Sequence, residues 1–301
     1  MPAERPAPRP GADLGGIGLA LLAMACFGAM DGISKILVSA YPAPLVLWLR
    51  HLSAVPLVLL AVGPRWAIRN ARSARPALQL GRTALLVVEM GIVLLCFRAL
   101  PLADVHAVLA LTPLLVTALS VPLLGERVGW RRWSAVAMGF LGILLILRPG
   151  VSVVHPAALL ALLAAFMYAV YNILTRLAAL ADPPQTSFLW QTVGGAALLT
   201  LVGPLFWVPL APEHWLLLLA LAGLGAFGHY CLVRALARLP AVVVQPFAYT
   251  MLVWAVLIGY LVFGDLPDRW TVTGALVVVG AGCYAAWREH VRSRAARSAG
   301  G

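Results

Sequence analysis

Two nine-residue stretches, FGAMDGISK at 27–35 and YAVYNILTR at 168–176, decide the fold because they carry matching residue types at matching positions. An aromatic residue, a polar residue four positions later, a hydroxyl and a basic residue recur in both, at an offset of 141 residues. The matched pairs are Phe27 with Tyr168, Asp31 with Asn172, Ser34 with Thr175 and Lys35 with Arg176. The chain therefore contains an internal repeat.

Further matches extend this repeat along the chain in the same order. They are Arg50 with Gln191, Arg98-Ala99-Leu100 with Arg234-Ala235-Leu236, Gly125-Glu126 with Gly264-Asp265, and Arg132-Trp133-Ser134 with Arg269-Trp270-Thr271. One such match can arise by chance, but a series in sequence order indicates two copies of one structural unit.

The composition indicates that both units lie in a membrane. Hydrophobic residues make up 62% of the 301 residues and charged residues 11%, whereas soluble domains contain about 45–50% and about 25%. At about 20 residues per helix, the length accommodates roughly ten membrane spans and no folded domain outside the bilayer. The predicted spans are 15–38, 43–63, 82–100, 103–124, 132–148, 156–176, 185–208, 213–236, 240–263 and 270–287.

The distribution of basic residues predicts the orientation of these spans. With the N terminus inside, 17 of the 22 Lys and Arg residues lie at the cytoplasmic side, so anionic lipid headgroups rather than nucleic acid are the expected partner. Because five spans per half is an odd number, the second half is expected to be inverted relative to the first. The predicted segments are a disordered cytoplasmic tail (1–14), the first repeat (15–150), the second repeat (151–288) and a basic cytoplasmic tail (289–301).

Five longer motifs cover much of both halves. They are FRALPLADVHAVLALTPLL (97–115), LLGERVGWRRW (123–133), GFLGILLILRPG (139–150), LVRALARLPAVVVQPFAYTMLVWAVLIGYLVFGD (232–265) and RWTVTGALVVVGAGCYAA (269–286). With these motifs the chain resembles the drug/metabolite transporter superfamily, specifically the ten-helix group built from two EamA repeats. Asp265 departs from the family pattern, which usually has Glu at this position.

The resemblance implies a fold class and a mechanism. The fold is an all-α integral membrane protein with ten transmembrane helices in two inverted five-helix repeats, and spans 1, 3, 4, 6, 8 and 9 line a central cavity. Members of the family are thought to transport by alternating access. The segment MDGISK (30–35) is similar to members that take up S-adenosylmethionine or riboflavin, whereas other members export amino acids.

Charged residues inside the spans are the first candidates for the site, because each costs about 2.5–3.5 kcal/mol on insertion scales. The helical rise places Asp31 and Arg50 at the same depth, where they could form either a gating or a permanent structural pair. Lys35 lies one turn above Asp31 and either shares that carboxylate or extends to the surface. Glu89 is a candidate proton carrier, or a neutral residue that fixes helix packing.

Polar and aromatic residues in the later spans form a second set, because organic ligands bind in apolar, aromatic cavities with a few placed polar groups. The set comprises Tyr168, Asn172, Gln191, His229, Tyr230, Gln245, Tyr249 and Trp254, with His51 and His106 as weaker candidates. The alternative for each of them is helix packing. Neither the histidines nor the cysteines have metal-ligand spacing, so no metal and no cofactor are expected.

The leading functional interpretation is a secondary transporter of a small organic metabolite such as S-adenosylmethionine, riboflavin or an amino acid. Import, export of amino acids or drugs, and protons as coupling ion remain open, as does the choice between monomer and homodimer. An intramembrane enzyme or a partner of a membrane complex is the alternative, but the sequence has no HExxH, GxSxG or GxxxxGK[ST] motif. The Ala-, Arg- and Leu-rich composition predicts a bacterial inner membrane.

Overall fold

A computed structural model describes residues 14–125, 129–147, 156–239 and 244–299, and within these ranges all regular structure is helical. The α-helices are α1 Leu14–Ala40, α2 Ala43–Val62, α3 Pro64–Asn70, α4 Pro76–Ala99, α5 Leu102–Leu109, α6 Thr112–Leu124, α7 Trp130–Leu147, α8 Pro156–Ala178, α9 Pro184–Leu189, α10 Gly195–Thr200, α11 Pro212–Arg238, α12 Thr250–Phe263 and α13 Arg269–Ala299. A π-helical turn, Trp190–Gly194, and two 3₁₀ segments, Gly203–Phe206 and Gln245–Tyr249, complete the helical elements of these ranges.

Several of these helices suit a bilayer, where a spanning segment must satisfy its own backbone hydrogen bonds. Within the described residues, six segments are long and apolar enough to cross a membrane: Leu14–Ala40, Ala43–Val62, Pro76–Ala99, Leu102–Leu124, Pro156–Ala178 and Pro212–Leu232. Two shorter apolar segments, Trp133–Leu147 and Phe247–Phe263, accompany them. The protein is thus a multi-pass, all-helical membrane protein, and the count of ten spans stays a prediction.

Two of the predicted spans are interrupted by non-α helical turns. The predicted span 185–208 consists of α9, the π-helical turn, α10 and a 3₁₀ segment, and in the span 240–263 the 3₁₀ segment Gln245–Tyr249 precedes α12. Pro204 and Pro246 lie within the first residues of the two 3₁₀ segments, where a missing backbone donor is tolerated. Hydropathy is uniform across these breaks, and therefore it does not predict them.

Close helix contacts connect the two halves of the chain. Helix α1 packs along α11, and α7 packs along α13. A Cβ atom added at Gly28 would lie 2.7 Å from Trp254 Cβ, and one at Gly32 would lie 2.7 Å from Ile258 Cγ2. The Gly28-x-x-x-Gly32 motif therefore lets α12 of the same chain approach α1, in the way that small residues allow close packing in membranes.

The matched glycines of the repeat adopt the same backbone conformation. Gly125 ends α6 with φ +69°, and Gly264 ends α12 with φ +72°. Both are left-handed C-cap residues, which glycine adopts without the steric cost of a Cβ atom. The sequence match at these positions therefore corresponds to a match in local structure.

Candidate substrate site

Arg50 on α2 lies at the centre of the candidate site. Its side chain is half-buried, and α2 packs against α4 and α11. Asp31 on α1 and Glu89 on α4 lie close enough to interact electrostatically with Arg50. Arg50 also interacts electrostatically with His229 on α11. Within the described residues, the Arg50 guanidinium has no ion pair or hydrogen bond. Helices of both halves therefore converge on an unpartnered positive charge.

Asp31 contacts His106 rather than the expected Arg50. The Nε2 atom of His106, on α5, lies 3.2 Å from Asp31 Oδ2, and both side chains are largely buried. The ring of Phe97 lies beside His106 with 5.8 Å between the ring centroids. The contact was not anticipated from the sequence because it depends on α5 packing against α1. Asp31 therefore has a local partner, whereas Arg50 has none among the residues that the structure describes.

Glu89 on α4 supplies an acidic side chain to the same region. It is 5% exposed, and within the described residues its carboxyl group makes no hydrogen bond or ion pair. Asp31 and Arg50 act on it electrostatically. Because a buried carboxyl group without a partner is costly, such a group in a membrane protein is typical of a ligand or proton site.

Aromatic rings border the same region. Tyr168 on α8 is 40% exposed, and α8 packs against α4, the helix that carries Glu89. Its ring stacks on Tyr171 with 5.8 Å between centroids and 12° between planes. Across the site, His229 packs edge-on against Phe27 at 4.9 Å. The region thus combines aromatic surfaces with one basic and one acidic side chain.

The remaining predicted residues lie in different surroundings. Asn172 donates a 2.7 Å hydrogen bond to the backbone carbonyl of Tyr168, within its own helix. Tyr230 is 58% exposed, and Trp254 packs against α1. Tyr249 has a buried hydroxyl without a hydrogen-bond partner within the described residues. The side chain of Gln245 lies outside the described residues.

A buried hydrogen-bonded chain that sequence reasoning did not single out leads from the end of the bundle to Gln191. Gln79 donates to Asp182 Oδ2 at 2.8 Å, and Arg82 Nε donates to Gln79 Oε1 at 2.7 Å. Arg82 Nη1 donates to the Tyr171 hydroxyl oxygen at 3.1 Å, and that hydroxyl donates to Gln191 Oε1 at 2.7 Å. Arg82 is 1% exposed. Arg82 is the first residue of the predicted span 82–100 and is one of the 17 basic residues assigned to the cytoplasmic side. For this reason the sequence did not predict its buried hydrogen bonds.

The first member of that chain is fixed in the loop between α8 and α9. Asp182 accepts hydrogen bonds from the backbone N–H of Ala74 at 2.7 Å, from Gln79 and from the Ser73 hydroxyl. Burial alone raises the pKa of Asp182, but these hydrogen bonds outweigh it and hold the pKa below its ordinary value. The carboxylate is therefore the stable form of this residue.

Lys35 pairs with the second half of the chain instead of sharing Asp31. Its Nζ atom lies 3.1 Å from Asp265 Oδ2 and donates to the carbonyl of Leu100 at 2.9 Å. It also lies 4.9 Å from the centre of the Phe263 ring. The loop after α12 is thereby connected to α1, at the end of the bundle opposite Asp182.

No metal centre is indicated in the part of the chain that the structure describes. No group of three or more His, Cys, Asp and Glu side chains there could hold a metal ion. A groove of about 420 Å³ between α12 and α13 is lined by apolar side chains such as Leu252, Val256 and Leu276. Since this groove contains no charged side chain, the charges around Arg50 remain the candidate substrate site.

The fold and these buried charges define a membrane transporter, and sequence comparison identifies its family. The model of the EamA-like transporter family matches residues 14–148 and again 155–286. The chain belongs to this family, and the two matches correspond to the two halves of the repeat.

Three relatives with known roles are transporters of small molecules. The S-adenosylmethionine uptake transporter of Rickettsia conorii is 26% identical over 88% of this chain and 90% of its own length. The riboflavin transporter of Rhizobium johnstonii is 31% identical over 76% of each chain. The pseudopaline exporter CntI of Pseudomonas aeruginosa is 28% identical over 88% of this chain and 93% of its own length. This chain is accordingly a small-molecule transporter.

A solved structure shares the fold. This crystal structure superposes with a TM-score of 0.56 at 19% identity, over 90% of this chain and 95% of that chain. At this level of identity the likeness concerns the fold alone.

Proposed function

We propose that the chain transports a zwitterionic or cationic organic metabolite of the S-adenosylmethionine type, bound between Glu89 and Arg50. The observation that carries the proposal is that the guanidinium of Arg50 and the buried carboxyl group of Glu89, on two helices in contact, both lack a hydrogen bond or ion pair within the described residues. S-adenosylmethionine has a carboxylate for Arg50 and has ammonium and sulfonium cations for Glu89. Both protein charges gain partners when such a substrate binds, which offsets part of the cost of burying them.

The aromatic surfaces suit the rest of such a substrate. The ring of Tyr168 is 40% exposed and stacks on Tyr171, and His229 packs edge-on against Phe27. A planar heterocycle such as adenine gains offset or edge-on contacts with rings of this kind. The uptake function of the Rickettsia conorii relative supports this substrate class and the direction of transport.

The path of the substrate follows from the family fold. We propose ten spans in two inverted repeats, both termini in the cytoplasm of a bacterium, and alternating access through its inner membrane. The proposal is supported by the two matches to the family model and by the like conformations of Gly125 and Gly264. In an inverted repeat, the site lies at the interface of the two halves. Arg50 and Glu89 come from the first half, and Tyr168 and His229 from the second.

Riboflavin is the second candidate, and a specific observation favours it. The stacked pair Tyr168 and Tyr171 offers a flat aromatic surface, and the Rhizobium johnstonii relative is a riboflavin transporter. Riboflavin has no ionic group at neutral pH. Its transport would therefore not need the charges of Glu89 and Arg50.

Uptake into proteoliposomes of labelled S-adenosylmethionine, riboflavin and amino acids tests the proposal. We expect wild type to accumulate S-adenosylmethionine, and Glu89→Gln and Arg50→Gln each to lower uptake by about tenfold or more, as expected for the loss of a buried charged contact. Glu213→Gln, which removes an exposed carboxylate at the start of α11, is the matched control. Riboflavin uptake that is unchanged in Glu89→Gln and Arg50→Gln would replace the proposal with the second candidate.

Glu89 is also the group that we propose as carrier of a coupling proton. An imposed pH gradient should accelerate wild-type uptake and leave any residual uptake by Glu89→Gln unchanged. Equal acceleration in both proteins would exclude Glu89 as the carrier and leave its contact with the substrate intact as a proposal.

A further inference from the structure

Gln191 lies in an unusual backbone element beside the proposed substrate site. The π-helical turn Trp190–Gly194 interrupts the helical segment of α9 and α10. This turn packs against α2 and against α4, the helices that carry Arg50 and Glu89. Single π-helical turns are frequent at functional sites because they displace one side chain from the regular helical register. The displaced segment here includes a polar amide.

The Tyr171 hydroxyl determines which end of the Gln191 side-chain amide already has a hydrogen-bond partner. Because Arg82 Nη1 donates to the Tyr171 oxygen at 3.1 Å, the hydroxyl proton needs another acceptor. Gln191 Oε1 accepts it at 2.7 Å. The opposite end of the Gln191 amide is its NH₂ group, which has no hydrogen-bond partner within the described residues. The network therefore leaves two N–H donors unused.

Arg82 holds this arrangement in place through several hydrogen bonds. Its guanidinium also donates to the Thr175 hydroxyl at 3.2 Å and to the backbone carbonyl of Ser187. Gln79 accepts from its Nε atom and is itself held by Asp182. A planar guanidinium with this many fixed acceptors cannot rotate without breaking several of them. Its contact with Tyr171 is therefore preorganised.

We propose that Gln191 contacts the substrate carboxylate through its NH₂ group, and that Arg82 and Tyr171 are positioning residues for this contact. The inference rests on the proposed function, because it assigns Gln191 to the carboxylate that Arg50 also binds. The repeat supports it, since Gln191 matches Arg50 at the offset of 141 residues. Each half of the transporter then contributes one donor to the same anionic group, and a substrate without a carboxylate leaves both donors unpaired.

The test compares S-adenosylmethionine with its decarboxylated analogue, which keeps the sulfonium, an amine and the adenosine. Wild type should prefer the carboxylate-bearing compound. Tyr171→Phe and Gln191→Leu should each raise the KM for S-adenosylmethionine about tenfold, as expected for a lost hydrogen bond to a charged group. The KM for the decarboxylated compound should change less than about twofold, since that compound makes no such contact.

The double variant separates positioning from a general structural role. If Tyr171 acts through Gln191, Tyr171→Phe/Gln191→Leu should be no worse than Gln191→Leu alone, because coupled residues are non-additive. Tyr260→Phe, on the exposed face of α12, is the matched control and should retain wild-type discrimination. If Tyr171→Phe does not fold, Gln191→Leu alone still tests the carboxylate contact.

The outcomes distinguish this inference from the proposed function. No transport of S-adenosylmethionine by folded wild type overturns the proposed function and this inference with it. Transport by wild type, with unchanged discrimination in Gln191→Leu, overturns the assignment of Gln191 and leaves the proposed function standing. Additive effects in the double variant overturn the positioning role of Tyr171.

Discussion

The two ends of the helical bundle form the same contact with different chemistry. At the Tyr41 end, the hydroxyl of Tyr41 accepts from the backbone N–H of Ala211 at 3.0 Å and lies 2.7 Å from His214 Nδ1. At the Asp182 end, the Asp182 carboxylate accepts from the backbone N–H of Ala74 at 2.7 Å. In both cases a residue that follows a long helix of one half caps the start of a helix in the other half.

The positions of the two contacts follow the repeat. Tyr41 and Asp182 are separated by 141 residues, the offset that relates the matched stretches of the two halves. The repeat thus keeps the place where the halves meet and changes the side chain that joins them. A tyrosine with a histidine joins one end, whereas a carboxylate connected through Gln79 to the buried Arg82 joins the other. We therefore expect the Asp182 end to be held more firmly.

The largest effect is expected for Arg82→Met, which removes the centre of the network at the Asp182 end. The substitution leaves Gln79 Oε1 without a donor and removes the hydrogen bonds from Arg82 to Tyr171, Thr175 and the Ser187 carbonyl, although that carbonyl keeps the backbone N–H of Trp190. Because each buried group left unpaired costs about 1–3 kcal/mol, the free energy of unfolding should fall by about 3 kcal/mol or more. The thermal unfolding midpoint in a fixed detergent measures this, with Arg65→Met at the exposed start of α3 as control. Equal unfolding midpoints for Arg82→Met and Arg65→Met would contradict the expectation that the network around Arg82 holds the Asp182 end firmly.

The second effect concerns the pH dependence of the same end. The pKa of Asp182 is lower in the folded protein than its ordinary value, so its contribution to stability is fully present above the ordinary carboxyl pKa of about 3.9. That contribution is lost as the pH falls through the folded pKa. Wild type should therefore lose its stability advantage over Asp182→Asn in unfolding curves measured from neutral pH down to the acid range. A constant difference between the two proteins at all pH values would contradict this assignment.

Much of the fold was open to prediction because the bilayer constrains sequence strongly. Apolar runs separated by arginine clusters predicted some helices closely, as for 43–63 and the observed Ala43–Val62. The helix Pro76–Ala99 begins six residues before the predicted span 82–100, and Arg269–Ala299 ends twelve residues after the predicted span 270–287. The π-helical turn and the 3₁₀ segments were missed, since the surrounding residues are as apolar as those in regular helices. Hydropathy indicates whether a segment is surrounded by lipid or by water, but it contains no information about the hydrogen-bond pattern of the backbone.

The site was predicted less completely, for a related reason. Arg50 and Glu89 were identified because charges inside apolar runs are rare and costly. The contacts of Asp31 with His106 and of Lys35 with Asp265 depend on which helices are neighbours, and sequence spacing does not contain that information. Arg82 was missed because an arginine near a helix end normally lies in the interface, whereas here α8 and the segment after it enclose it.

A smaller effect is expected for Tyr41→Phe, which tests the Tyr41 end. The substitution removes a hydroxyl that contacts Ala211 and His214 and keeps the ring. Both hydrogen bonds lie in a partly buried site, so the free energy of unfolding should fall by about 1–2 kcal/mol. Unfolding midpoints of Tyr41→Phe, Tyr260→Phe and Arg82→Met in the same detergent rank the two ends. A loss larger than that of Arg82→Met would reverse the ranking.

The smallest effect is expected for the ion pair of Lys35 and Asp265 at the Tyr41 end. The two side chains are 15% and 34% exposed, so solvent screens their attraction. A double-mutant cycle of Lys35→Ala and Asp265→Ala should therefore give a coupling energy of about 0.2–1 kcal/mol that decreases with added salt. A coupling above about 2 kcal/mol, independent of salt, would show that the Tyr41 end is held by a desolvated pair. The weak coupling expected here instead means that the two halves separate at lower cost in free energy at the Tyr41 end. Under the proposed orientation that end faces outward, where an imported substrate would enter.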